Sequence, residues 1–509
     1  MAANLSLEGL PTELFSDIAT AFPLHAAPSA LLSLTLVNHA FYEVFHPILY
    51  SHVILRNEND TQHTIVKILQ KPELGQYIRG LHIMSDLSRK TRHGSGIDPL
   101  FFNAIKGLDK LVSNGLLHNL GALSLHLLMG WRSYQPKGYG MLPAEFWSKL
   151  AKNCPRIKSV VLSGLEDISL SPWILQSGIY EFREFKHLEK IGLSFFPSQS
   201  ESEGLKIMSQ NFYNLSSSLH TLSLDFMFSR SGQPAPAPIS SLHFPNLRSL
   251  TLSSFQFNDS SETMSFWNCH PNLERLDISS GMGSSSWFAD TIPVGTLPAL
   301  KYLEVNYKDV QKLAPILYQL LRLCIWKSSG TDVPRLLREV IPDGLPRLKS
   351  LEIQMLLLQS GTSNSPEFRT GLINYIQTIS KSTPNLEEIG LHSKIMNAEV
   401  FFDILCDDDA ISGFEHLERI YVSYHDGDNF YSETDRRRFF DGAFKLAQKG
   451  NFRKLRSMTN FSNRYQTPYP VARIVKNDNG DLTFLDAGEG FGMEIGYESH
   501  PFPGIPGSG

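Results

Sequence analysis

The chain has 509 residues, of which 42% are hydrophobic and 19% are charged, so it can bury a large core and exceeds the usual size of one compact domain. Its formal net charge of -5 reflects 46 basic and 51 acidic side chains, and so small a charge gives no long-range field to attract nucleic acid or anionic lipid. We therefore expect a globular protein of more than one unit that binds neither nucleic acid nor membrane.

The cysteines and the N-terminus bear on the compartment. Four cysteines occur, and none is close enough in sequence to another to form a CxxC metal or redox pair. The first nine residues lack the basic and apolar regions of a signal peptide, and no later stretch approaches ~20 apolar residues. We expect a soluble protein of the cytoplasm and/or the nucleus, with Cys154 and Cys269 packed in the core just before strands.

The first fifty residues predict three short helices followed by a strand. Pro11 and Glu13 open the first helix, because proline suits the first helical position and an acid complements the helix dipole. Apolar side chains then recur every four residues, at Leu14, Ile18 and Phe22. Helical spacing continues over 30–37 and 37–48, and residues 53–55 form a β-branched run. The second helix is apolar on most of its sides, so part of it should face a partner.

These residues resemble the F-box, in the form found in fungal proteins. The matching positions are Leu10, Pro11, Glu13, Leu14, Ile18, Leu31, Leu32, Leu34, Leu36, Val37, Asn38, Phe41, Pro47, Ile48, Leu49 and Tyr50. The resemblance spans about a tenth of the chain, over residues 5–50, and depends on spaced positions rather than one short pattern. Phe41 stands where tryptophan is frequent in the family, and still fills an aromatic site.

The resemblance implies a partner. F-box proteins dock on the Skp-type adaptor of a cullin-RING ubiquitin ligase. The positions here that match the family's contact or core residues are Leu10, Pro11, Leu14, Ile18, Leu32, Val37 and Phe41. The cullin scaffold would be the second partner, reached through the adaptor.

From residue 78 onward one pattern recurs, apolar-x-x-apolar-x-apolar, whose last two intervals have the period of a strand. Its twelve occurrences begin at Ile78, Leu120, Ile157, Leu188, Leu219, Leu247, Leu273, Leu300, Leu320, Leu348, Leu386 and Leu417. The pattern resembles a leucine-rich repeat. We therefore predict an α/β protein with an N-terminal three-helix F-box and an irregular leucine-rich repeat solenoid, a horseshoe. The asparagine or cysteine expected three places after each strand is mostly absent, with Leu165 and Phe255 in that place.

The predicted domains follow from these segments. They are the F-box at 5–50, a linker strand and helix at 51–77, the solenoid at 78–465, a terminal hairpin at 466–487 and a flexible tail at 488–509. The hairpin is indicated by Asn479-Gly480 between two β-rich runs. It would cap the last repeat, which otherwise leaves apolar surface and a strand edge open.

A binding face is predicted on the strands, because the residues between the buried apolar positions point to the concave side. Aromatic and arginine side chains are common hot spots of interfaces. The candidates for a substrate face are Arg275, Asp277, Tyr302, Glu304, Arg322, Glu352, Arg419 and Tyr421.

We find no catalytic motif, and we expect no cofactor and no metal. The cluster Gly488-Glu489-Gly490-Phe491-Gly492 lacks the spacing of a phosphate loop. The run Asp407–Asp409 lacks the spaced ligands of a calcium loop, and 425–428 reads as a polar turn.

Three functions follow, in decreasing order of support. The first is a substrate-recognition adaptor of an SCF (Skp-cullin-F-box) ubiquitin ligase, not itself an enzyme, that binds a target protein through the repeats. The second is an F-box scaffold or binding protein that works outside any ligase. The third is a hydrolase on the solenoid, which would need titratable groups converging on one face.

Overall fold

The structure is a computed structural model that describes most of the chain. The described residues are 11–21, 27–55, 58–86, 99–128, 143, 145–165, 184–185, 187–195, 212–226, 235–236, 239–253, 255–256, 260–278, 286–288, 290–326, 332–354, 366–393, 398–406, 413–424, 433–448, 454–460, 469–476 and 482–490. The chain divides into two compact units, residues 1–247 and 248–509.

The first unit begins with helices and continues with a parallel sheet. Its helices are α1 (Thr12–Ala21), α2 (Ala27–Thr35), α3 (His39–Leu49), α4 (Glu58–Gln70), a 3-10 helix (Pro72–Tyr77), α5 (Pro99–Ser113) and α6 (Phe146–Asn153). Its strands are β1 (His52–Leu55), β2 (Gly80–Asp86), β3 (Ala122–Leu128), β4 (Ser159–Leu165), β5 (Lys190–Phe195), β6 (Thr221–Phe226) and the two-residue β7 (Ala235–Pro236). Strands β1 to β6 are parallel and lie side by side in chain order.

The second unit repeats this arrangement. Its strands are β8 (Ser249–Ser253), β9 (Phe255–Gln256), β10 (Arg275–Ile278), β11 (Tyr302–Asn306), β12 (Arg322–Trp326), β13 (Ser350–Gln354), β14 (Glu388–Ser393), β15 (Arg419–Tyr424), β16 (Ser457–Asn460), β17 (Tyr469–Lys476) and β18 (Leu482–Gly490). Its helices are α7 (Ser260–Asn268), α8 (Tyr307–Lys312), α9 (Ala314–Leu317), α10 (Asp332–Arg335), a π-helix (Leu336–Val340), α11 (Pro366–Ser382), α12 (Ala398–Leu405) and α13 (Glu433–Gln448).

The sheet of the second unit is parallel from β8 through β10 to β16, in chain order, and only β17 and β18 are antiparallel. The protein is therefore α/β with a mostly parallel sheet in each unit. Helices separate most successive strands of the described chain. This arrangement is compatible with a solenoid.

Strands begin at a fixed place in the recurring sequence pattern. Each of its twelve occurrences, from Ile78 to Leu417, is followed two residues later by the first residue of a strand. A thirteenth begins at Leu455, before β16, where the polar Asn460 takes the last apolar position and is buried. The sequence pattern misses it for that reason.

Neighbouring strands share one arrangement of backbone hydrogen bonds. The carbonyl of the residue just before a strand accepts two hydrogen bonds. One comes from the residue just before the next strand, and the other from the first residue of that strand. In the first unit the Lys158 carbonyl accepts from Glu189 at 2.8 Å and from Lys190 at 2.9 Å. In the second, the Lys349 carbonyl accepts from Glu387 at 2.8 Å and Glu388 at 2.9 Å. The recurrence shows that successive turns of the chain stack in the same register.

A short turn leads into many of the strands. The N–H of the first apolar residue donates to the carbonyl three residues earlier, as Ile157 does to Cys154 at 3.0 Å and Leu273 to His270 at 3.2 Å. Proline after the accepting residue suits the second position of such a turn. The residue that supplies the carbonyl is buried.

The prediction that two cysteines pack in the core is right for one of them. Cys154 is buried, and burial raises its pKa to about 12. Cys269 is exposed, because Pro271 sets the turn one residue later and places His270 in the buried position. The His270 ring nitrogen Nδ1 lies 2.6 Å from the Phe266 carbonyl oxygen.

Successive turns are also joined by asparagine side chains, although not at the place where the leucine-rich repeat consensus puts them. Asn119, Asn246 and Asn385 stand just before the first apolar residue of their turns. Their side-chain amides donate to the carbonyls of Gln76 at 2.7 Å, Ser217 at 2.7 Å and Pro346 at 2.8 Å, each one turn earlier. These bonds take over part of the role of the missing consensus asparagine.

We expect Asn385→Ala to lower the free energy of unfolding of the second unit by about 1 kcal/mol, the typical net value of one such hydrogen bond. Urea unfolding checks it. The matched control is Asn374→Ala, at an exposed position of α11, where alanine should be neutral or slightly stabilising. Equal midpoints for the two variants would show that the bond to Pro346 contributes nothing.

The last described elements form an antiparallel hairpin, β17 and β18, beside β16. Its β18 extends to Gly490, whereas the sequence predicts a flexible tail from residue 488. Gly488 pairs with Val471 and Gly490 with Tyr469. Strand pairing uses backbone groups, which glycine also has. The glycines therefore pair, although their lack of side chains gives the sequence no strand pattern here. Residues 491–509 lie outside the described part.

Candidate functional site

The N-terminal helices pack around a small aromatic core. The rings of Phe15, Phe41 and Phe45 contact one another edge to face, with centroids 5.3, 5.5 and 5.6 Å apart. Leu31 and Ala19 are buried beside them. Asn38 caps α3 by accepting the Phe41 N–H at 2.8 Å. Phe41, one of the predicted adaptor positions, is therefore a core residue.

Other apolar residues of the same helices remain exposed. Leu14 is 42% exposed, Leu32 51%, Leu36 78% and Val37 61%. These helices enclose their aromatic core and still expose four aliphatic side chains to solvent, which makes them a candidate interaction surface. We call these four residues the exposed leucine set.

The predicted adaptor positions thus separate into three groups. Leu14, Leu32 and Val37 belong to the exposed leucine set, and Pro11 is exposed as well. Ile18 is half-buried against the aromatic core, and Phe41 is inside it. Leu10 lies outside the described residues.

The second unit carries a polar face on its sheet. Neighbouring strands pair in register, so residues at equal offsets form rows. One row is Arg275, Tyr302, Arg322, Ser350, Glu388 and Arg419; the next is Asp277, Glu304, Cys324, Glu352, Gly390 and Tyr421. We call these two rows the polar sheet face. All eight residues predicted for the substrate face lie in it.

Ion pairs hold the centre and one side of this face. Arg322 Nη2 lies 2.6 Å from Glu352 Oε2, and both side chains are almost fully buried, at 4% and 5% exposed. His392 Nε2 lies 3.1 Å from the other oxygen of Glu352. Arg419 Nε lies 2.6 Å from Glu388 Oε1. Two of the three arginines in the rows are therefore already neutralised by buried carboxylates.

The remaining part of the face is more open and aromatic. The Arg275 guanidinium lies over the Tyr302 ring, 5.0 Å from its centroid. The indole N–H of Trp326 donates to Glu304 Oε1 at 2.5 Å. These four side chains are half-buried, whereas Asp277 and Tyr421 are buried. The accessible portion of the predicted substrate face is thus smaller than the eight residues suggest.

Burial, and next the Glu352 carboxylate, raises the pKa of Glu304 above its ordinary value of 4.5, against the opposing effects of Arg322, Trp326 and Arg275. The native state therefore holds this proton more tightly than the unfolded chain. The stability that Glu304 contributes is complete below pH 4.5 and is lost as the pH rises through the folded pKa.

We expect Glu304→Gln, which stays neutral and can still accept from Trp326, to remove this loss. Between about pH 4.5 and neutral pH its melting temperature should fall less than that of the wild type. Melting curves over that range measure the difference. Glu339→Gln removes an exposed carboxylate and should follow the wild type. Parallel curves for wild type and Glu304→Gln would contradict the expectation.

Sequence reasoning missed three members of the site. Glu388 stands at the same offset as Arg275 and could have been found from the pattern. Trp326 and His392 lie beyond the last apolar position of their strands, where the pattern predicts nothing. Only the paired register of β12 to β14 brings them beside Glu304 and Glu352.

Among the described residues, no group of three or more histidine, cysteine or acidic side chains could hold a metal ion. Asp407–Asp409 and residues 425–428 lie outside them. The described helices also include none that is long and apolar enough to span a membrane.

No family model matches the chain, and no curated protein matches it. One similar solved structure is the crystal structure of a Bacteroides fragilis protein, a structural genomics target. It is 20% identical, the match covers 51% of this chain and 74% of that one, and the TM-score is 0.29. The function proposed below therefore rests on the residues of this chain.

Proposed function

We propose that the chain is the substrate-recognition adaptor subunit of an SCF ubiquitin ligase. In this proposal residues 5–50 bind the Skp-type adaptor, and the strand-rich remainder binds a target protein. The chain contributes binding and no chemistry, because ubiquitin transfer belongs to other subunits of such a ligase.

The observation that carries the proposal is the exposed leucine set. Leu36 and Val37 are more than half exposed on a module whose three phenylalanines are sealed inside. Leaving aliphatic surface in water forgoes about 25 cal/mol for each Å² that a partner could cover. Three of the four, Leu14, Leu32 and Val37, are also among the positions that match the contact or core residues of the F-box.

The second half of the proposal concerns the target. The polar sheet face offers the half-buried Arg275, Tyr302 and Trp326 beside the half-buried Glu304, and arginine and aromatic side chains are typical of interface hot spots. It lies in the second unit, whereas the exposed leucine set lies in the first, so each can be altered without touching the other.

Reconstitution tests the proposal. The full chain is co-expressed with a Skp-type adaptor and the N-terminal half of a cullin, and the mixture is separated by size-exclusion chromatography. We expect the three proteins to co-elute. Co-elution with the adaptor alone would favour the scaffold outside any ligase, and no complex with the adaptor would refute the assignment.

A further inference from the structure

We propose that one exposed side of α13 binds an acidic segment of a partner protein. Two carboxylates of the segment reach Arg437 and Lys445, on either side of an apolar residue that covers Phe444. This inference goes beyond the proposed function, because it concerns neither the exposed leucine set nor the polar sheet face.

Helix α13 separates its core residues from its charged residues. Phe439, Ala443 and Leu446 are buried, and the Phe439 ring packs against Phe402 of α12, with centroids 6.1 Å apart. An α-helix turns once every ~3.6 residues, so a second group of side chains lies on the opposite half of α13. We call this group the basic side of α13: Arg436, Arg437, Phe440, Phe444 and Lys445.

The basic side carries positive charge that is not neutralised within the described part of the chain. Arg436, Arg437 and Lys445 are exposed. Among the described residues, neither Arg437 nor Lys445 forms an ion pair or a hydrogen bond. Asp441 lies one helical turn from both and pairs with neither. Three cations therefore face solvent beside one acid, and carboxylates of a partner would find them available.

The stability of the helix itself does not account for these charges. The helix dipole favours acids in the first turn and bases in the last. Lys445 suits its place near the end of α13, whereas Arg436 and Arg437 are the fourth and fifth residues of the helix, where the dipole favours no cation. An anionic partner would stabilise the two arginines in this place.

Two aromatic rings lie among the cations. Phe444 is 42% exposed, and Phe440 is half-buried. The Arg436 guanidinium lies over the Phe440 ring, 5.9 Å from its centroid, and this stacking limits the orientations of its N–H donors. Arginine beside an accessible aromatic ring is a combination typical of interface hot spots.

An acidic peptide segment matches these charges and this spacing. Arg437 and Lys445 are eight residues apart in the helix, so their attachment points are ~12 Å apart along its axis. An extended peptide covers that distance in about four residues, which leaves room for one apolar side chain over Phe444 between two acids. Each acid would accept a charge-assisted hydrogen bond.

A nucleic acid or a membrane fits this side less well. The chain as a whole has a net charge of -5, which repels a polyanion at long range, and three cations are few for a phosphate backbone. A helix that lies in a membrane surface inserts its apolar face, whereas the apolar face of α13 is buried in the protein.

Peptide selection tests the inference. Random dodecapeptides displayed on phage are selected on the full chain, and the most enriched peptide is synthesised with its acids retained, changed to amides, or changed to lysine. We expect glutamate and aspartate to be enriched on either side of an apolar residue. Fluorescence anisotropy should show at least tenfold weaker binding of the amide version. A thymidylate dodecamer and phosphatidylserine vesicles should bind more weakly than the acidic peptide.

The protein is varied in parallel. Arg437→Glu with Lys445→Glu should weaken binding of the acidic peptide at least tenfold and should bind the lysine version instead, an exchange that a merely structural effect would not produce. Phe444→Ser should weaken binding at least threefold. Arg347→Glu with Lys381→Glu is the matched control, because it reverses one arginine and one lysine, both exposed in the same unit, and should bind like the wild type.

Three results would overturn the inference: no enrichment of acids, tighter binding of the thymidylate dodecamer or the vesicles than of the peptide, or undiminished binding by Arg437→Glu with Lys445→Glu. Melting temperatures check that each variant is folded. Capture of the Skp-type adaptor is measured on the same samples. A chain that binds acidic peptides and captures no adaptor would refute the proposed function and keep the basic side as a docking site, and the reverse result would refute the docking site alone.

Discussion

Replacing Leu32 and Val37 by aspartate is expected to weaken capture of the Skp-type adaptor at least a hundredfold while leaving the melting temperature unchanged. Each aliphatic side chain contributes ~1.5 to 3 kcal/mol when a partner covers it, and tenfold in affinity corresponds to about 1.4 kcal/mol. An aspartate buried without a partner adds a desolvation cost. In the free chain both positions are more than half exposed, so the fold loses little.

Quantitative pull-down with the purified adaptor measures the effect. Tyr213→Asp with Val294→Asp is the control, because these two largely apolar side chains are more exposed than Leu32 and Val37, at 71% and 74%, and lie outside the N-terminal module. Ile18→Asp is a poorer probe, since Ile18 packs against the aromatic core and its loss would confuse binding with unfolding. Undiminished capture by the Leu32 and Val37 variant would remove the basis of the F-box assignment.

The second large effect is expected from Arg322→Ala, which should destabilise the second unit by roughly 3 to 5 kcal/mol. The substitution removes the arginine from the Glu352 carboxylate, whose side chain is 5% exposed, and leaves His392 Nε2 beside it at 3.1 Å. A charge stranded in a site of low dielectric constant costs far more than the pair itself contributes. Urea unfolding measures the change.

Two variants make the cause visible. Arg322→Met combined with Glu352→Leu removes both charges and should recover most of the lost stability, because an apolar pair of similar volume can replace a buried ion pair. Lys349→Ala breaks the exposed pair with Glu387 and should cost less than about 1 kcal/mol. If Arg322→Ala is no more damaging than Lys349→Ala, the buried pair has no special role.

Much of the local structure of this protein is determined by short-range patterns in its sequence. The spacing of Leu14 and Ile18 coincides with α1, and the recurring apolar pattern places strands two residues after its first position, twelve times. Period two also assigns Asp277 and Glu304 to the same face. These features depend on the spacing of apolar side chains within one segment, and that spacing can be seen in the sequence of the segment alone.

Tertiary structure decided what each of those residues does. Phe41 and Leu32 look alike in the sequence pattern, yet one fills the aromatic core and the other remains in solvent, because the packing of three helices leaves room for only some apolar side chains. Arg322 and Glu352 are 30 residues apart, and only the register of β12 and β13 brings them together. The ion pairs of the polar sheet face form between different segments of the chain. The sequence of one segment alone therefore cannot show which acids pair with arginine and which, like Glu304, accept a hydrogen bond from Trp326 instead.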